Sequence, residues 1–148
     1  MKLKYLYGWI VGKKTAFVNS FDNDPLQNQA DVFWRHLESG TWFYLLAFII
    51  VAIIFAYFYF KPFNNQPGRH FRPRYWVIFG VVSIIVSFLL TLLIAYLAAA
   101  PKLQGSFILE LKISFANMIY TAVTYFVMSI LFWNNVFGKT NAYKLIKL

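Results

Sequence analysis

The sequence predicts an all-α integral membrane protein, with three transmembrane helices preceded by an amphipathic interfacial helix. Three observations carry this. Of 148 residues, 60% are hydrophobic and only 13% are charged, where a soluble domain carries about a quarter charged residues. Apolar runs of bilayer-crossing length recur along the chain. Aromatic residues, 22% of the whole, gather at the ends of those runs, where their rings favour the headgroup level.

Residues 1–41 form the N-terminal region. The opening MKLKYLYGWIVGKK imitates a signal peptide, but its apolar stretch is short, Lys13 and Lys14 follow it, and no A-x-A-like site appears. It reads as mature sequence. Leu3, Tyr5, Tyr7, Trp9 and Val11 alternate as in a strand, whereas Leu3, Leu6, Tyr7 and Ile10 fit a helix; the pattern leaves both open, with an interfacial helix preferred. From Asp24 onward the signals are sharper, with Asp24 as N-cap, Pro25 at the first helical position and Gly40 just past the end. Leu26, Ala30, Phe33 and Leu37 recur at helical spacing beside Trp34, and Asp31 stands four residues before Arg35 on the polar side. Such a helix is expected to lie flat in the membrane interface, as an elbow into the first span. The competing placement is against the bundle, as part of a small head.

Residues 42–133 supply the bundle, with spans at 42–60, 75–100 and about 113–133. At the helical rise the first covers roughly 28 Å and the second roughly 39 Å, against a hydrocarbon core of about 30 Å. The second must tilt or protrude. Pro62, Pro67, Gly68 and Pro73 break the first connection, and Pro101 and Gly105 the second. Residues 134–148 form a short basic tail. Three spans place the first loop and the tail on one side, where Lys61, Arg69, Arg72, Arg74, Lys139, Lys144 and Lys147 lie without an acid. Near the spans the other side offers only Arg35, Lys102 and Lys112. The positive-inside bias then puts the first loop and C-terminus in the cytoplasm and the N-terminus outside, in a cytoplasmic or inner membrane.

Two stripes are the candidate functional features. Glu110, Ser114, Asn117, Thr121 and Thr124 recur every three or four residues, which confines them to about 80° of arc on the third span. They are read either as the wall of a pore, with Glu110 as an acidic ring at its mouth, or as interhelical hydrogen-bonding groups, which is the commoner use of Ser, Thr and Asn in spans. On the second span Ser83, Ser87, Thr91, Ala95 and Ala99 repeat every four residues, with Gly80 close to the same face. Small residues at that interval let helices approach closely. Whether that face meets the third span or a neighbouring copy is open in the sequence. The first span has only Ala52 and Ala56 in this pattern and is expected outermost, against lipid.

Other chemistry finds little footing. The chain has no cysteine, which removes disulfides, thiolate metal sites and thiol catalysis. None of its acids lies mid-span, where intramembrane catalysts and proton-coupled carriers place one. His36 and His70 fall in no metal-binding pattern, and no phosphate loop occurs. Neither cofactor nor metal is expected. Lys61, Arg69, Arg72 and Arg74 are assigned to anionic lipid headgroups or to docking a protein partner, and nucleic acid is the weakest reading. The function expected is a non-enzymatic membrane subunit that oligomerises or anchors a larger envelope assembly for secretion, injection or defence. The alternatives are an oligomeric channel or membrane-permeabilising effector lined by the third span, and a membrane-embedded enzyme or lipid-handling protein.

Overall fold

Helix is the only regular secondary structure among the residues described, 3–63, 73–103 and 105–133 of the computed structural model, and no strand occurs among them. Six α-helices follow in order: α1 (Leu3–Val11), α2 (Lys14–Val18), α3 (Asp24–Ser39), α4 (Thr41–Phe58), α5 (Pro73–Ala98) and α6 (Phe107–Trp133). Among the described residues three segments are long and apolar enough to cross a membrane, Asp24–Phe63, Arg74–Ala98 and Phe107–Phe132. The described residues divide into two compact units, one within 1–47 and 88–117 and the other within 48–87 and 118–133.

The first unit settles the ambiguous N-terminus. Leu3, Tyr7 and Val11 are buried while Tyr5 and Trp9 are exposed, the four-residue period of a helix rather than the alternation of a strand. Gly12 ends α1 at φ 84°, a left-handed conformation that glycine adopts without steric cost.

Helix α3 differs from expectation in two ways. Asn23 rather than Asp24 occupies its N-cap position, and Asp24 belongs to the first turn. More important, its apolar face is buried within the chain. Ala30, Phe33, Trp34 and Leu37 are buried, Phe17 of α2 stands 5.9 Å from the Phe33 ring and 5.8 Å from that of Trp34, and the Leu3 amide donates to Glu38 Oε1 at 3.2 Å. Phe17 of α2 thus covers part of the apolar face of α3 from within the chain, and α1 is tied to the end of α3 by a hydrogen bond. Leu26 stays exposed, off the buried face.

Asp31 joins α2 to α3 through Lys14 Nζ at 2.5 Å and pairs within α3 with Arg35 Nε at 3.0 Å. The hydrogen bond from Lys14, aided by the charges of Lys14 and Arg35, holds its carboxyl below the ordinary 3.8 despite some desolvation. A depressed folded-state value means the pair contributes above the unfolded value and is lost as pH falls through the folded one. Acidification below about pH 4 is therefore expected to speed amide exchange in α2, slightly, as befits an exposed pair. Asp31→Asn should abolish that pH dependence; an identical acid response in the variant would remove Asp31 as its source.

Gly40 does more than end α3. It stays in the right-handed region at φ −72°, ψ −6°, and its carbonyl accepts from the Tyr44 amide at 3.1 Å, so the chain passes almost directly into α4. A Cβ here would collide with the Tyr44 ring and hydroxyl. Close approach, besides the helix end that it caps, is what this glycine serves.

In the second unit Ala52 and Ala56 of α4 form a core cluster with Tyr59, Phe60, Tyr125 and Phe132. That places α4 differently from the expected outermost helix. Of the most apolar stretch of each spanning segment, 44% of the first is buried, against 22% for α5 and 33% for α6. Two alanines suffice because large rings, not small residues, complete the contact. Beyond Phe58 the helix widens into a π-helical turn, Tyr59–Phe63, which contains Pro62; proline lacks the N–H that an α-turn would use and crowds the carbonyl four residues back.

The remaining boundaries shift modestly. Helix α5 covers Pro73–Ala98 instead of 75–100, and α6 begins at Phe107 instead of about 113. The earlier start was hidden by Glu110 and Lys112, which interrupt the apolar run without interrupting the helix. Gly105 at φ 82° and Ser106 make the turn that launches it.

Candidate functional site

Asn117 is the centre of the polar cluster in the first unit. Its Nδ2 donates to the Tyr44 carbonyl at 2.9 Å and to Thr91 Oγ1 at 2.8 Å, while its Oδ1 accepts from the Tyr7 hydroxyl at 2.8 Å. Helices α1, α4, α5 and α6 thus meet at one amide. Tyr7, Tyr44, Thr91 and Asn117 are all fully buried, and the Tyr7 and Tyr44 rings meet edge to face at 6.2 Å. An amide suits this position because it offers donors and an acceptor at once.

One turn and more toward the start of α6, Ser114 donates to the Glu110 carbonyl at 2.8 Å, and Lys102 Nζ donates to Glu110 Oε1 at 2.8 Å. The acid's side chain is 1% exposed and the lysine's 41%. Burial of a carboxylate is tolerable only with such a partner. Glu110 Oε2 and the Tyr44 hydroxyl, both buried, have no hydrogen-bond partner among the described residues.

In the second unit the Thr121 hydroxyl donates to Ser87 Oγ at 2.6 Å. Nearby on α5, Ser83 donates back to the Gly80 carbonyl at 2.7 Å. A Cβ on Gly80 would stand 3.1 Å from the Tyr125 ring, so glycine lets that ring pack flush on α5. Tyr125 donates to the Trp76 carbonyl at 2.9 Å, and Trp76 Nε1 donates to Ser129 Oγ at 2.9 Å.

The residues singled out in the sequence therefore lie as follows. Glu110, Ser114, Asn117 and Thr121 are buried, and Thr124 is half-buried. Ser83, Ser87, Thr91, Ala95 and Ala99 are buried too, and the bonds from Thr91 and Ser87 go to α6 of the same chain. Lys61 is half-buried on the π-helical turn, and Arg74 is exposed, 5.0 Å from the centre of the Tyr75 ring. Arg69, Arg72, His70 and the tail 134–148 lie outside the described residues. No group of three His, Asp or Glu side chains converges among the described residues.

Sequence reasoning missed Tyr7, Tyr44, Tyr96, Lys102 and Trp76. Tyr44 is wholly buried, and Trp76 is half-buried against Ser129. The four-residue register of Leu3, Tyr7 and Val11 was the available signal for Tyr7. Comparison with family models, with curated proteins and with solved structures finds no match to this chain.

Proposed function

We propose that the protein is a non-enzymatic, membrane-spanning subunit that anchors or joins a larger envelope assembly, with its first loop and C-terminus in the cytoplasm. One observation supports this best: the polar stripes of α5 and α6 are buried within the chain and bond in part to each other, as in Asn117 with Thr91 and Thr121 with Ser87. What is left outward is apolar, including Val77, Ile78, Val81, Ile85, Leu89 and Leu93 of α5. Such a chain presents lipid or a partner helix with side chains for van der Waals packing. A pore wall built from several copies would instead need its hydroxyls and amides on an outer face. The buried stripe weighs against that alternative.

The test is the mass of the particle extracted in a mild detergent from native membranes, compared with that of the chain purified alone. The assembly reading expects the native particle to be larger and to contain a fixed ratio of this chain to its partners. A monomer in both preparations would overturn it. Reconstitution in liposomes is expected to give no cation flux; a current that Glu110→Gln diminishes would instead establish the channel.

A further inference from the structure

The ammonium of Lys102 is held on three sides. It donates to Glu110 Oε1 at 2.8 Å and to the Tyr96 carbonyl at 2.5 Å, and it lies 3.8 Å from the centre of the Tyr96 ring. A carboxylate, a carbonyl and an aromatic face around one nitrogen are the groups that recognise a primary ammonium: two acceptors for its N–H donors and a negative ring face for its charge. The anionic wall is buried, but the occupant comes from the connection between α5 and α6 and is 41% exposed. The cage is thus buried on its acidic side and filled from the other by a residue partly open to solvent.

Glu110 Oε2 supplies an independent observation. It is buried and accepts no hydrogen bond among the described residues, although a carboxylate can accept several. Lys102 reaches only Oε1. A ligand ammonium untethered to the chain can turn its third N–H toward Oε2, which the lysine does not do. Beside the cage, Tyr96 also lines an apolar groove of about 250 Å³ with Leu89, Leu92, Leu93 and Phe107. Leu89 to Tyr96 spans roughly 10 Å along a helix, enough to seat part of an acyl chain.

We propose that this is a binding site for a membrane lipid whose headgroup carries a primary ammonium and a phosphate. The lipid ammonium replaces that of Lys102 against Glu110 and Tyr96, the released lysine meets the phosphate, and an acyl chain follows the groove. Charge complementarity selects this occupant: a zwitterionic headgroup converts one ion pair into two and leaves no charge unmatched. A choline headgroup has no N–H to give to the Tyr96 carbonyl or to Oε2. An anionic headgroup without an amine has nothing for Glu110. The inference rests on the membrane-spanning reading.

The full chain in detergent micelles, offered equal amounts of ethanolamine, choline and glycerol phospholipids with the same acyl chains, is examined by native mass spectrometry. Retention of the ethanolamine lipid is expected to exceed that of the choline lipid by about tenfold, the ratio that one charge-assisted hydrogen bond supplies. Glu110→Gln should bring the two to parity, and Lys102→Ala should keep the preference because the cage stays open. If Glu110→Gln loses its helical circular dichroism, Tyr96→Leu, at a half-exposed ring, carries the test and should weaken the preference. Equal retention of ethanolamine and choline lipids by the wild type, preference for the glycerol lipid, or an unchanged preference in Glu110→Gln would overturn the assignment. So would ethylammonium chloride protecting the chain as well as the lipid does, since that places a free amine in the cage. Flotation with choline-lipid vesicles separates the two readings: a chain that fails to float refutes membrane insertion, and one that floats without discriminating headgroups refutes only the lipid site.

Discussion

Asn117→Leu is expected to lower folding stability by about 3 kcal/mol, the cost of leaving buried polar partners of one amide without it. The Tyr7 hydroxyl and Thr91 Oγ1 lose their Asn117 partner together, and both are fully buried. Leucine has as many side-chain heavy atoms as asparagine but is bulkier, so overpacking adds to the loss of polar partners. A single hydrogen bond between membrane helices typically contributes less than 1 kcal/mol; what raises the expectation here is that four helices share one side chain. The measurement is denaturant unfolding in detergent, followed by circular dichroism and by Trp fluorescence. Asn117→Asp tests the same point from another side, because it keeps the acceptor for Tyr7 and removes the donors to Tyr44 and Thr91. Wild-type stability in Asn117→Leu, coupled with altered conductance, would return Asn117 to a pore wall.

That Asn117 should be structural was half visible in the sequence. The polar stripe on α6 and the small-residue stripe on α5 were both legible, because helical periodicity is a local property and the apolar background makes each polar residue stand out. Their pairing was not, since nothing in Ser87 or Thr121 alone says which helix it faces. The three helices long and apolar enough to cross a membrane were legible for the same reason, and the start of α6 was not, because Glu110 and Lys112 interrupt the apolar run from which the bounds of a span are read. Helix α3 shows the complementary limit. Its amphipathic face was read correctly at Ala30, Phe33 and Leu37, but amphipathicity reports only that something apolar covers the face. Lipid and the α1–α2 segment give the same pattern. The burial of Tyr44 was not legible, because an aromatic at the end of an apolar run fits an interfacial belt and a buried core equally well; the Gly40 beside it, which leaves room for its ring, is the discriminating neighbour.

The stripe on α5 separates folding from assembly by a second large effect. Ser87→Leu is expected to destabilise the chain by roughly 2–4 kcal/mol, combining overpacking at a close helix contact with a lost acceptor for Thr121. Ser87 Oγ lies 2.6 Å from Thr121 Oγ1 and both residues are fully buried, so the larger side chain must push α5 from α6 or leave its preferred rotamer. Ser87→Ala should cost far less, about 1 kcal/mol or below, since it removes the bond and keeps the approach. Leu97→Ser changes an exposed residue of the same helix and is expected to leave monomer stability near that of the wild type. Any loss of the native particle in Leu97→Ser then belongs to an outer assembly face. The reverse pattern, in which Ser87→Leu keeps wild-type unfolding but dissolves an oligomer, requires α5 to offer its small residues to a neighbour. Unfolding and native mass measured on the same three variants therefore assign each face of α5 to the fold or to a partner.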